Sequence, residues 1–359
     1  MNKTSIEWTH RPGTVGMTWN PIHFRRTDGS TIQRTSSKGR VYPVTGNMCT
    51  RISPGCTHCY ASTLNERQGN QLAYTVENLS KGEFYLDEKE LQAPLRTKKP
   101  CTIFVGDMFD LFHEAIPDEM IDRVMAVALH CAEPWYRCFG RECDHCPCNE
   151  NVCREIQPNT FQFLTKRADR LHEYMSHPDR KYRVCLAWNA LGWYYENSPV
   201  EEHSWPPKTS WFGVSVEAQK YADERIPLLL QTPAAVRFLS VEPQLEAVDL
   251  DNLHPPNFGS AFRHTFGWPA IDWVICGGES GPKARPFNLA WAESLREQCK
   301  AAGVAFFMKQ VGSRPQVHSC RNEACTHPDC GMEAIKQKDR KGGDPSEWPE
   351  SLRVREFPG

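Results

Sequence analysis

The stretch WFGVSVEAQKYADERIPLLLQTPAAVRFLSVEP, residues 211–243, decides the fold class. It opens with an apolar run of strand length, continues through a helical pattern and closes with a second apolar run. Apolar runs without polar alternation are typical of strands whose two faces are both covered by protein, as they are in parallel sheets. The stretch therefore predicts a strand–helix–strand unit with parallel strands.

The same alternation of apolar runs and helical patterns continues over most of the chain. Further strands are predicted over 101–108, 160–167, 271–280 and 304–312. Helices are predicted over 117–132, from 168 toward Met175, and over 288–303. With one strand before Cys49 the count is about seven, which favours an α/β fold built as a partial or full parallel (β/α) barrel over an open parallel sheet.

The composition of the 359-residue chain indicates a globular protein of a reducing compartment. Hydrophobic residues make up 40%, enough for a sizeable core, and no apolar stretch approaches the roughly 18 residues that span a bilayer. The 42 Lys and Arg residues are balanced by 44 Asp and Glu residues, which excludes a protein that coats nucleic acid through bulk charge. We expect a cytoplasmic protein whose 16 cysteines bind metal and do not form disulfides.

Polar side chains recur at the carboxyl ends of the predicted strands. In a parallel barrel these ends lie on one face, where such folds build their active sites. The alternative is that these side chains cap the helices that follow. Repetition at six strand ends favours a site, and the side chains concerned are Asp107, Lys166, Arg167, Ser215, Glu217, Ser240, Glu242, Glu279, Ser280, Lys309 and Gln310.

The segment CTRISPGCTHCYA, residues 49–61, carries Cys49, Cys56 and Cys59 in a C-x6-C-x2-C array. Three closely spaced thiolates suit a [4Fe-4S] cluster that leaves one iron open for a substrate or cofactor. A zinc site completed by His58 or by a distant ligand is the alternative. The array predicts a metal centre, and the choice between the two depends on the rest of the chain.

Two further cysteine groups are short and polar, and a bound metal is the simplest way to order them. The group between a predicted helix and the next strand consists of Cys138, Cys143, Cys146, Cys148 and Cys153. The group after the last strand consists of Cys320, Cys325 and Cys330. Structural zinc is our first expectation for each group, an auxiliary iron–sulfur cluster the second, and free thiols the third. Small buried side chains are expected instead at Cys101, Cys185, Cys276 and Cys299.

Motifs spread over nearly the whole chain are similar to those of a known family. They are SIEWT (5–9), TWNP (18–21), SPGCTHCYA (53–61), VGDMFDLFHEAIPDEMIDRV (105–124), FLTKRADRL (163–171), GVSVEAQKYADERIPLLLQTPAAVRFLSVEP (213–243), WVICGGESGPKARP (273–286), AGVAFFMKQVG (302–312) and LRVREFP (352–358). In these motifs the chain resembles the phage-borne three-cysteine-motif family, which is treated as a divergent branch of the radical S-adenosylmethionine (SAM) proteins. The resemblance implies a (β/α) barrel of radical SAM type with cysteine-rich metal-binding insertions.

The resemblance also implies a cofactor: a [4Fe-4S] cluster on Cys49, Cys56 and Cys59, with SAM chelating the open iron. Reductive cleavage of SAM would release a 5′-deoxyadenosyl radical that abstracts hydrogen from the substrate, while the protein supplies orientation. The chain departs from the usual radical SAM loop in two ways. Six residues instead of three separate the first two cysteines, and His58 precedes the last cysteine, with Tyr60 just after it.

Roles for individual residues follow from the resemblance as well. The expected cofactor contacts are Tyr60 or His58 at the adenine, Gly106 and Asp107 at the amino group, Ser215 and Glu217 at the ribose, and Gly277, Gly278 and Glu279 where the backbone approaches the cofactor. The expected catalytic residues on the substrate side are Lys166, Glu242 and Lys309. Arg167 is a further substrate-side residue, for which a surface ion pair worth little is the alternative.

A phage-borne family suggests a substrate in viral DNA, whose bases phages hypermodify. We expect an isomerase acting on a hypermodified thymine in DNA or in a nucleotide, with a lyase that repairs a photolesion as the alternative. A base within a duplex would have to be flipped out to reach a barrel mouth. An external electron donor is implied, and the host cytoplasm is the location if a phage encodes the chain. The basic residues that would hold a phosphate backbone, or else lie in solvated loops, are Arg25, Arg26, Arg34, Lys38, Arg40, Lys336, Lys338, Arg340 and Lys341.

These interpretations divide the chain into a basic, turn-rich segment over 1–47, a barrel over 48–312 with a cysteine-rich insert over 131–153, and a cysteine-rich extension over 313–359. The competing function class is a non-catalytic zinc protein that binds nucleic acid or a partner protein. A metal-dependent hydrolase has less support, because no predicted strand end carries a histidine ligand.

Overall fold

The structure is a computed structural model, and it describes residues 1–29, 32–35, 37, 39–132, 135–138, 153–156, 158–191, 204–253, 259–262, 270–318 and 331–359. Within these ranges, 42–43, 135–138 and 153–156 are described by their backbone alone. The strands are β1 (Asn2–Lys3), β2 (Val15–Trp19), β3 (Ile22–Arg26), β4 (Gln33–Thr35), β5 (Val41–Pro43), β6 (Gly82–Leu86), β7 (Cys101–Val105), β8 (Trp135–Cys138), β9 (Cys153–Ile156), β10 (Thr160–Thr165), β11 (Ser210–Ser215), β12 (Val236–Val241), β13 (Trp273–Gly277), β14 (Phe287–Asn288), β15 (Ala305–Gln310), β16 (Pro315–His318) and β17 (Met332–Ala334). The α-helices are α1 (Tyr60–Gln68), α2 (Val76–Leu79), α3 (Glu88–Leu91), α4 (Asp118–His130), α5 (Ala168–Ser176), α6 (Arg180–Asn189), α7 (Gln219–Gln231) and α8 (Leu289–Ala302). Within the described ranges, none of these helices has the length and apolar character needed to cross a membrane.

A mostly parallel sheet of eight strands forms the centre of the fold. Its spatial order is β1-β2-β7-β10-β11-β12-β13-β15. The neighbours from β2 to β15 are all parallel, while β1 pairs antiparallel with β2. The sheet curls into a half-barrel with β1 and β15 at its edges. The predicted α/β fold with a parallel, barrel-like sheet is confirmed, and the barrel is a partial one.

The elements predicted beyond residue 100 are present, with small differences at their ends. The expected strand over 101–108 is β7, and the expected helix over 117–132 is α4. Residues 1–47, expected to be rich in turns, contribute more regular structure than that. They contain β2, the first parallel strand, and the strand β3, which pairs with β6.

Alternate residues of each central strand face opposite sides of the sheet. On β10, Phe161 and Phe163 belong to the large core that the helices cover. In α4, Ile121 and Val124 pack into the same core from the other side. On the opposite face, Phe104 and Phe238 belong to a separate buried cluster, so both faces are covered, which explains the continuous apolar runs in the sequence.

An aromatic layer fills the concave face of the half-barrel. Its members are Trp8, Phe104, Trp211, Phe238, Trp273, Ile275 and Phe307. Trp8 comes from a short 3-10 turn, and its ring lies 4.7 Å from Phe104 and 6.3 Å from Trp273. Such tilted contacts between rings are favourable beyond the area that they bury. The layer closes the middle of the half-barrel and leaves the carboxyl ends of the strands to carry polar residues.

The two edges of the sheet differ. One ends in the two-residue strand β1, and at the other the segment 354–357 lies along β15. Met308 N donates to the Val354 carbonyl at 2.8 Å, and Glu356 N donates to the Phe306 carbonyl at 2.9 Å. Phe357 packs against the rings of the aromatic layer. This segment satisfies backbone groups that an open edge would leave available to other chains.

Candidate functional site

The three cysteines of the C-x6-C-x2-C array lie together at the carboxyl ends of the central strands. Cys49 follows β5, Cys56 ends a 3-10 turn and Cys59 directly precedes α1. All three line one cavity of about 160 Å³. The ends of β7, β10 and β11 also contribute to its wall, through Gly106, Asp107, Leu164, Lys166 and Ser215. The structure therefore brings the cysteine array and several predicted strand-end residues into one site.

A small hydrophobic cluster supports the segment 49–59, which we call the cysteine loop. Cys49 and Cys59 pack against Phe24, Met48, Ala61, Leu72 and Tyr74. Buried asparagines join the start of the loop to α1 and the turn after it. Asn47 N donates to Asn65 Oδ1 at 3.0 Å, and Asn65 Nδ2 donates to Asn70 Oδ1 at 2.7 Å. Apolar packing and buried hydrogen bonds from asparagine side chains thus fix the base of the cysteine loop.

Arg167 is buried beside Cys49, with 3% of its surface exposed. Its Nη1 lies 3.8 Å from the Cys49 sulfur and 3.0 Å from Asp110 Oδ2. Its Nη2 donates to Thr50 Oγ1 at 2.8 Å, and its Nε donates to Glu114 Oε1 at 2.9 Å. The alternative of a weak surface ion pair is therefore wrong, because the guanidinium is buried against the cysteine loop.

Glu217 lies behind the cysteine loop with no exposed surface. Its Oε1 accepts hydrogen bonds from Ser53 Oγ at 2.7 Å and from the Lys166 ammonium, and its Oε2 accepts one from Arg225 Nη1 at 2.9 Å. Burial opposes ionisation of Glu217, but the charges of Lys166 and Arg225 outweigh it and lower the pKa of the carboxyl. Gly55 lies so close that a Cβ there would be 2.3 Å from Oε1. Glu217 was expected at the SAM ribose. Its carboxylate instead bonds Ser53 of the cysteine loop and the side chains of Lys166 and Arg225.

Glu279 and Arg285 hold the other side of the cysteine loop. The carboxylate oxygens of Glu279 accept hydrogen bonds from Arg285 Nε at 3.0 Å and from Nη2 at 2.9 Å. Arg285 Nη1 also donates to the Pro54 carbonyl at 3.0 Å, and His58 Nδ1 lies 3.1 Å from Glu279 Oε2. His58 and Tyr60 were the two candidates for the adenine contact. His58 pairs with Glu279, and Tyr60 is the one of the two that lines the cavity.

The end of β7 turns sharply and presents Asp107 to the cavity. Gly106 has a φ of +77°, and a Cβ there would lie 2.9 Å from the Phe109 carbonyl, so the turn requires glycine. Asp107 Oδ1 accepts from Asn20 Nδ2 at 2.7 Å, and the Asp107 carbonyl accepts from the Tyr60 hydroxyl. Burial raises the pKa of Asp107. The turn lies on the cavity wall, where a cofactor contact was predicted.

Glu242 and Lys309 form a second polar group, at the ends of β12 and β15. Lys309 Nζ donates to Glu242 Oε1 at 2.5 Å. Neither residue is among those that line the cysteine cavity. The two predicted catalytic residues are therefore paired with each other at the carboxyl ends of the strands.

The glycines at the end of β13 differ in how much space surrounds them. A Cβ at Gly277 would lie 3.4 Å from Glu242 Cγ, which is an ordinary contact. A Cβ at Gly278 would lie 2.7 Å from the Val311 carbonyl. Packing within the protein therefore already requires glycine at 278, whereas a methyl group at 277 would make only ordinary contacts.

Two thiols of the array, those of Cys49 and Cys59, are hard to ionise in this environment. Burial, followed by the charge of Asp110, raises the pKa of Cys49 to about 12, although Arg167 opposes the shift. Burial also raises the pKa of Cys59. A free nucleophilic cysteine needs a lowered pKa, whereas a metal deprotonates the thiol that it binds. The thiols therefore suit a metal centre better than nucleophilic catalysis.

The alternative that strand-end side chains cap the following helices is not supported. Neither α5 nor α7 begins with a capping hydrogen bond from a side chain. The cap of α8 is Asn288, whose Oδ1 accepts from Ala290 N at 3.0 Å. Among the strand-end residues, Lys166 bonds Glu217 and Lys309 bonds Glu242, while Arg167, Glu217 and Glu279 contact the cysteine loop.

The second cysteine group is described only in part. Cys138 ends β8 and Cys153 begins β9, and the antiparallel register places their backbones directly opposite each other. Across the described ranges, no group of three or more His, Cys, Asp or Glu side chains is arranged to hold a single metal ion. The predicted ligands that lie outside the described residues are Cys143, Cys146, Cys148, Cys320, Cys325 and Cys330. The expectation of small buried side chains is confirmed for Cys101, Cys185, Cys276 and Cys299.

The basic residues near the N-terminus are partly neutralised. Arg25 pairs with Glu83 at 2.6 Å, and Arg26 pairs with Asp28 at 2.6 Å. Lys38 lies outside the described residues. Part of the positive charge that was expected to hold a phosphate backbone is therefore balanced within the protein.

Four residues that hold the site were not predicted: Ser53, Asp110, Arg225 and Arg285. Their partners are far away in the chain, with 164 positions between Ser53 and Glu217 and 231 between Pro54 and Arg285. No spacing rule links such positions. The available signal was that all four lie within the motifs that carry the family resemblance.

Comparison with family models gives a match over most of the chain. The model of a family described as a protein of unknown function, DUF5131, matches residues 30–146 and 148–343. The matched ranges contain the cysteine loop, Arg167 and the Glu279–Arg285 pair. No match is found among curated proteins or among solved structures.

Proposed function

The chain belongs to DUF5131, a protein family of unknown function, and we propose that this member is a radical SAM enzyme that modifies a nucleic-acid base. The observation that carries the proposal is the cavity at the ends of β7, β10 and β11, because all three cysteines of the array line it. Thiolates are soft ligands that suit iron–sulfur clusters, and the carboxyl face of parallel strands is where barrels build active sites.

The residues around the cavity fit a [4Fe-4S] cluster. Each thiolate of such a cluster binds its own iron, whereas the ligands of a zinc ion must converge on one point. Cys49, Cys56 and Cys59 share a cavity at the carboxyl ends of the strands. This arrangement supports a cluster at the cysteine loop, and metal analysis separates it from zinc.

The chain's own residues would hold the cofactors and exclude water. When bound, the cluster and SAM would supply a 5′-deoxyadenosyl radical that abstracts hydrogen from the substrate. Arg167, Glu217 and Arg285 hold the cysteine loop from three sides. Phe104 and Leu164 line the cavity with apolar surface, which keeps water from a reactive intermediate.

We place SAM against the wall that Asp107 and Tyr60 form. The Asp107 carboxylate would accept hydrogen bonds from the SAM ammonium, and the Tyr60 ring would lie against the adenine. Ser215 on the same wall offers a hydroxyl to the ribose. Glu217 is a loop-holding residue in this proposal, because its oxygens already accept from Ser53 and from two cations.

The substrate in this proposal is a hypermodified thymine of phage DNA or of a nucleotide, which the enzyme would isomerise. Glu242 and Lys309 would face the base, since they offer an acceptor and a donor next to the cofactor wall. A base in a duplex would be flipped out to reach the carboxyl ends of the strands. An external one-electron donor would reduce the cluster in the host cytoplasm. Photolesion repair by a lyase is the alternative reaction for the same cofactors.

The proposal is tested by anaerobic purification, analysis of iron, sulfide and zinc, and assay of 5′-deoxyadenosine after reduction with dithionite in the presence of SAM. We expect stoichiometric iron and sulfide, and 5′-deoxyadenosine whose formation is lost in Cys56→Ala. Cys185→Ala is the matched control, because Cys185 is buried in α6 and should leave the cluster intact. The nucleoside profile of modified phage DNA then identifies the product.

The second candidate function is a zinc-binding module that recognises nucleic acid or a protein. The observation that favours it is the β8–β9 pairing, which places Cys138 opposite Cys153 at the base of the cysteine-rich insert. Zinc at stoichiometry, without iron and without SAM cleavage, would reject the enzyme and leave this candidate.

A further inference from the structure

Arg167 places a positive charge against the cysteine loop, and the proposed function assigns no role to this charge. It follows β10 directly and lies within the core of the site, where its Nη1 is 3.8 Å from the Cys49 sulfur. The distance suits a weak hydrogen bond from a guanidinium to a thiolate. Because a guanidinium does not lose its proton in proteins, this donor is charged at every pH of interest.

The position of Arg167 is fixed by groups on three sides. Asp110 Oδ2 accepts from Nη1 at 3.0 Å, Thr50 Oγ1 accepts from Nη2 at 2.8 Å, and Glu114 accepts from Nε. Asp110 is itself held, since its Oδ1 accepts from Thr165 Oγ1 at 2.7 Å. A buried cation with this many partners keeps its place when the charge of its neighbours changes.

Asp110 and Arg167 act on Cys49 in opposite directions. Asp110 carries a negative charge and Arg167 a positive one, and Arg167 Nη1 lies 3.0 Å from Asp110 Oδ2 and 3.8 Å from the Cys49 sulfur. The same two charges would act on a cluster bound there, since a reduced cluster carries one more negative charge than an oxidised one. Hydrogen bonds to the sulfurs and the local net charge are the terms that set the reduction potentials of such clusters.

We infer that Arg167 is a positioning residue that raises the reduction potential of the cluster, by holding a permanent positive charge against the Cys49 thiolate and offsetting Asp110. The inference rests on the proposed function. The step concerned is the gain of one electron by the cluster from an external one-electron donor. No bond at Arg167 is made or broken in it, and no proton moves.

The test is a redox titration of the reconstituted full-length protein, followed by EPR, for the wild type and three variants. Arg167→Gln should shift the midpoint to more negative potential by the equivalent of about a tenfold change in the ratio of reduced to oxidised cluster, which is about 59 mV for a one-electron couple. Asp110→Asn should shift it in the opposite direction. Arg180→Gln is the matched control, because Arg180 is a buried arginine that bonds Asp118 and Asp122 and contacts neither a cysteine nor the cysteine loop, and it should keep the wild-type midpoint.

An Arg167→Gln protein with the wild-type midpoint, or with a more positive one, would overturn the inference. So would an Arg167→Gln protein that folds without retaining its cluster while Arg180→Gln retains it, because Arg167 would then act only as a support of the loop. If the wild type holds no cluster at all, the proposed function fails. That result is distinct from a protein that holds the cluster but whose midpoint potential does not change when Arg167 is replaced.

Discussion

Glu217 shows what single residues contribute to this site: a carboxylate with no exposed surface that bonds Ser53, Lys166 and Arg225. A buried charge is costly unless it is paired and hydrogen-bonded. When one partner of such a group is removed, the charges that remain are uncompensated, and the cost is about 3–5 kcal/mol. The protonation state of one carboxyl therefore bears on the stability of the whole loop.

We expect Glu217→Gln to lower the free energy of unfolding by about 3 kcal/mol at neutral pH. The pKa of Glu217 in the folded protein lies below its ordinary value of 4.5, so its stabilising contribution is complete above pH 4.5. That contribution is lost as the pH falls through the folded-state pKa. Urea unfolding of both proteins over a pH series measures it, and the gap between them should shrink below pH 4.5. A gap that stays constant into acid would contradict the role of the ionised carboxylate.

At the scale of elements, the cysteine loop is docked between the segments that follow two strands. Ser53 and Gly55 face Glu217 after β11, while Pro54 and His58 face the Glu279–Arg285 pair after β13. Ser53, Pro54 and Gly55 lie between the first two cysteines of the array. The six residues that separate Cys49 from Cys56 therefore contribute to the docking of the loop.

We expect Gly55→Ala to displace the cysteine loop, because its Cβ would lie 2.3 Å from Glu217 Oε1. The expected result is a folded protein that retains much less iron after anaerobic reconstitution. Gly277→Ala is the matched control, since its Cβ would meet its nearest neighbours at 3.4 Å. Equal iron contents in the two variants would show that close docking on Glu217 is not needed for metal binding.

The sequence predicted the strands and helices better than it predicted the side-chain contacts between them. Strand-length apolar runs identified β7 to β15 of the central sheet because both faces of each strand are buried, and their polar ends marked one face of the fold. The strand β2 was harder to place, because VGMTW is short and lies in a turn-rich segment. The Arg167–Cys49 contact joins positions 118 residues apart and depends on a side-chain conformation, which no pattern in the chain specifies.

At the scale of the whole molecule, the half-barrel has two edges instead of a closed ring of strands. A closed barrel has no free backbone groups at its edges, whereas an open sheet must cover them. Here one edge ends in the two-residue strand β1, and the segment 354–357 covers β15 and reaches the aromatic layer. The ring of Phe357 lies 5.5 Å from that of Trp273 and 5.4 Å from that of Phe307.

We expect Phe357→Ala to lower the free energy of unfolding by about 1–3 kcal/mol, the scale of exposing an apolar side chain that is partly buried. It should also increase self-association, because the segment over β15 loses its anchor. Chemical unfolding and light scattering measure the two effects. Tyr182→Ala is the control, since that ring is 57% exposed on α6. Equal losses in the two variants would argue against the anchoring role.

The order of the seven parallel strands in space is also their order in the chain, and this has a consequence for biosynthesis. The sheet can grow strand by strand as the polypeptide leaves the ribosome. The cysteine loop emerges early, but Arg285 is made about 230 residues after Cys59. At translation speeds of about 5–20 residues per second, the loop waits roughly 10–45 s for its last support. If metal binding requires a fixed loop, it would therefore occur only after β13 and Arg285 have been translated.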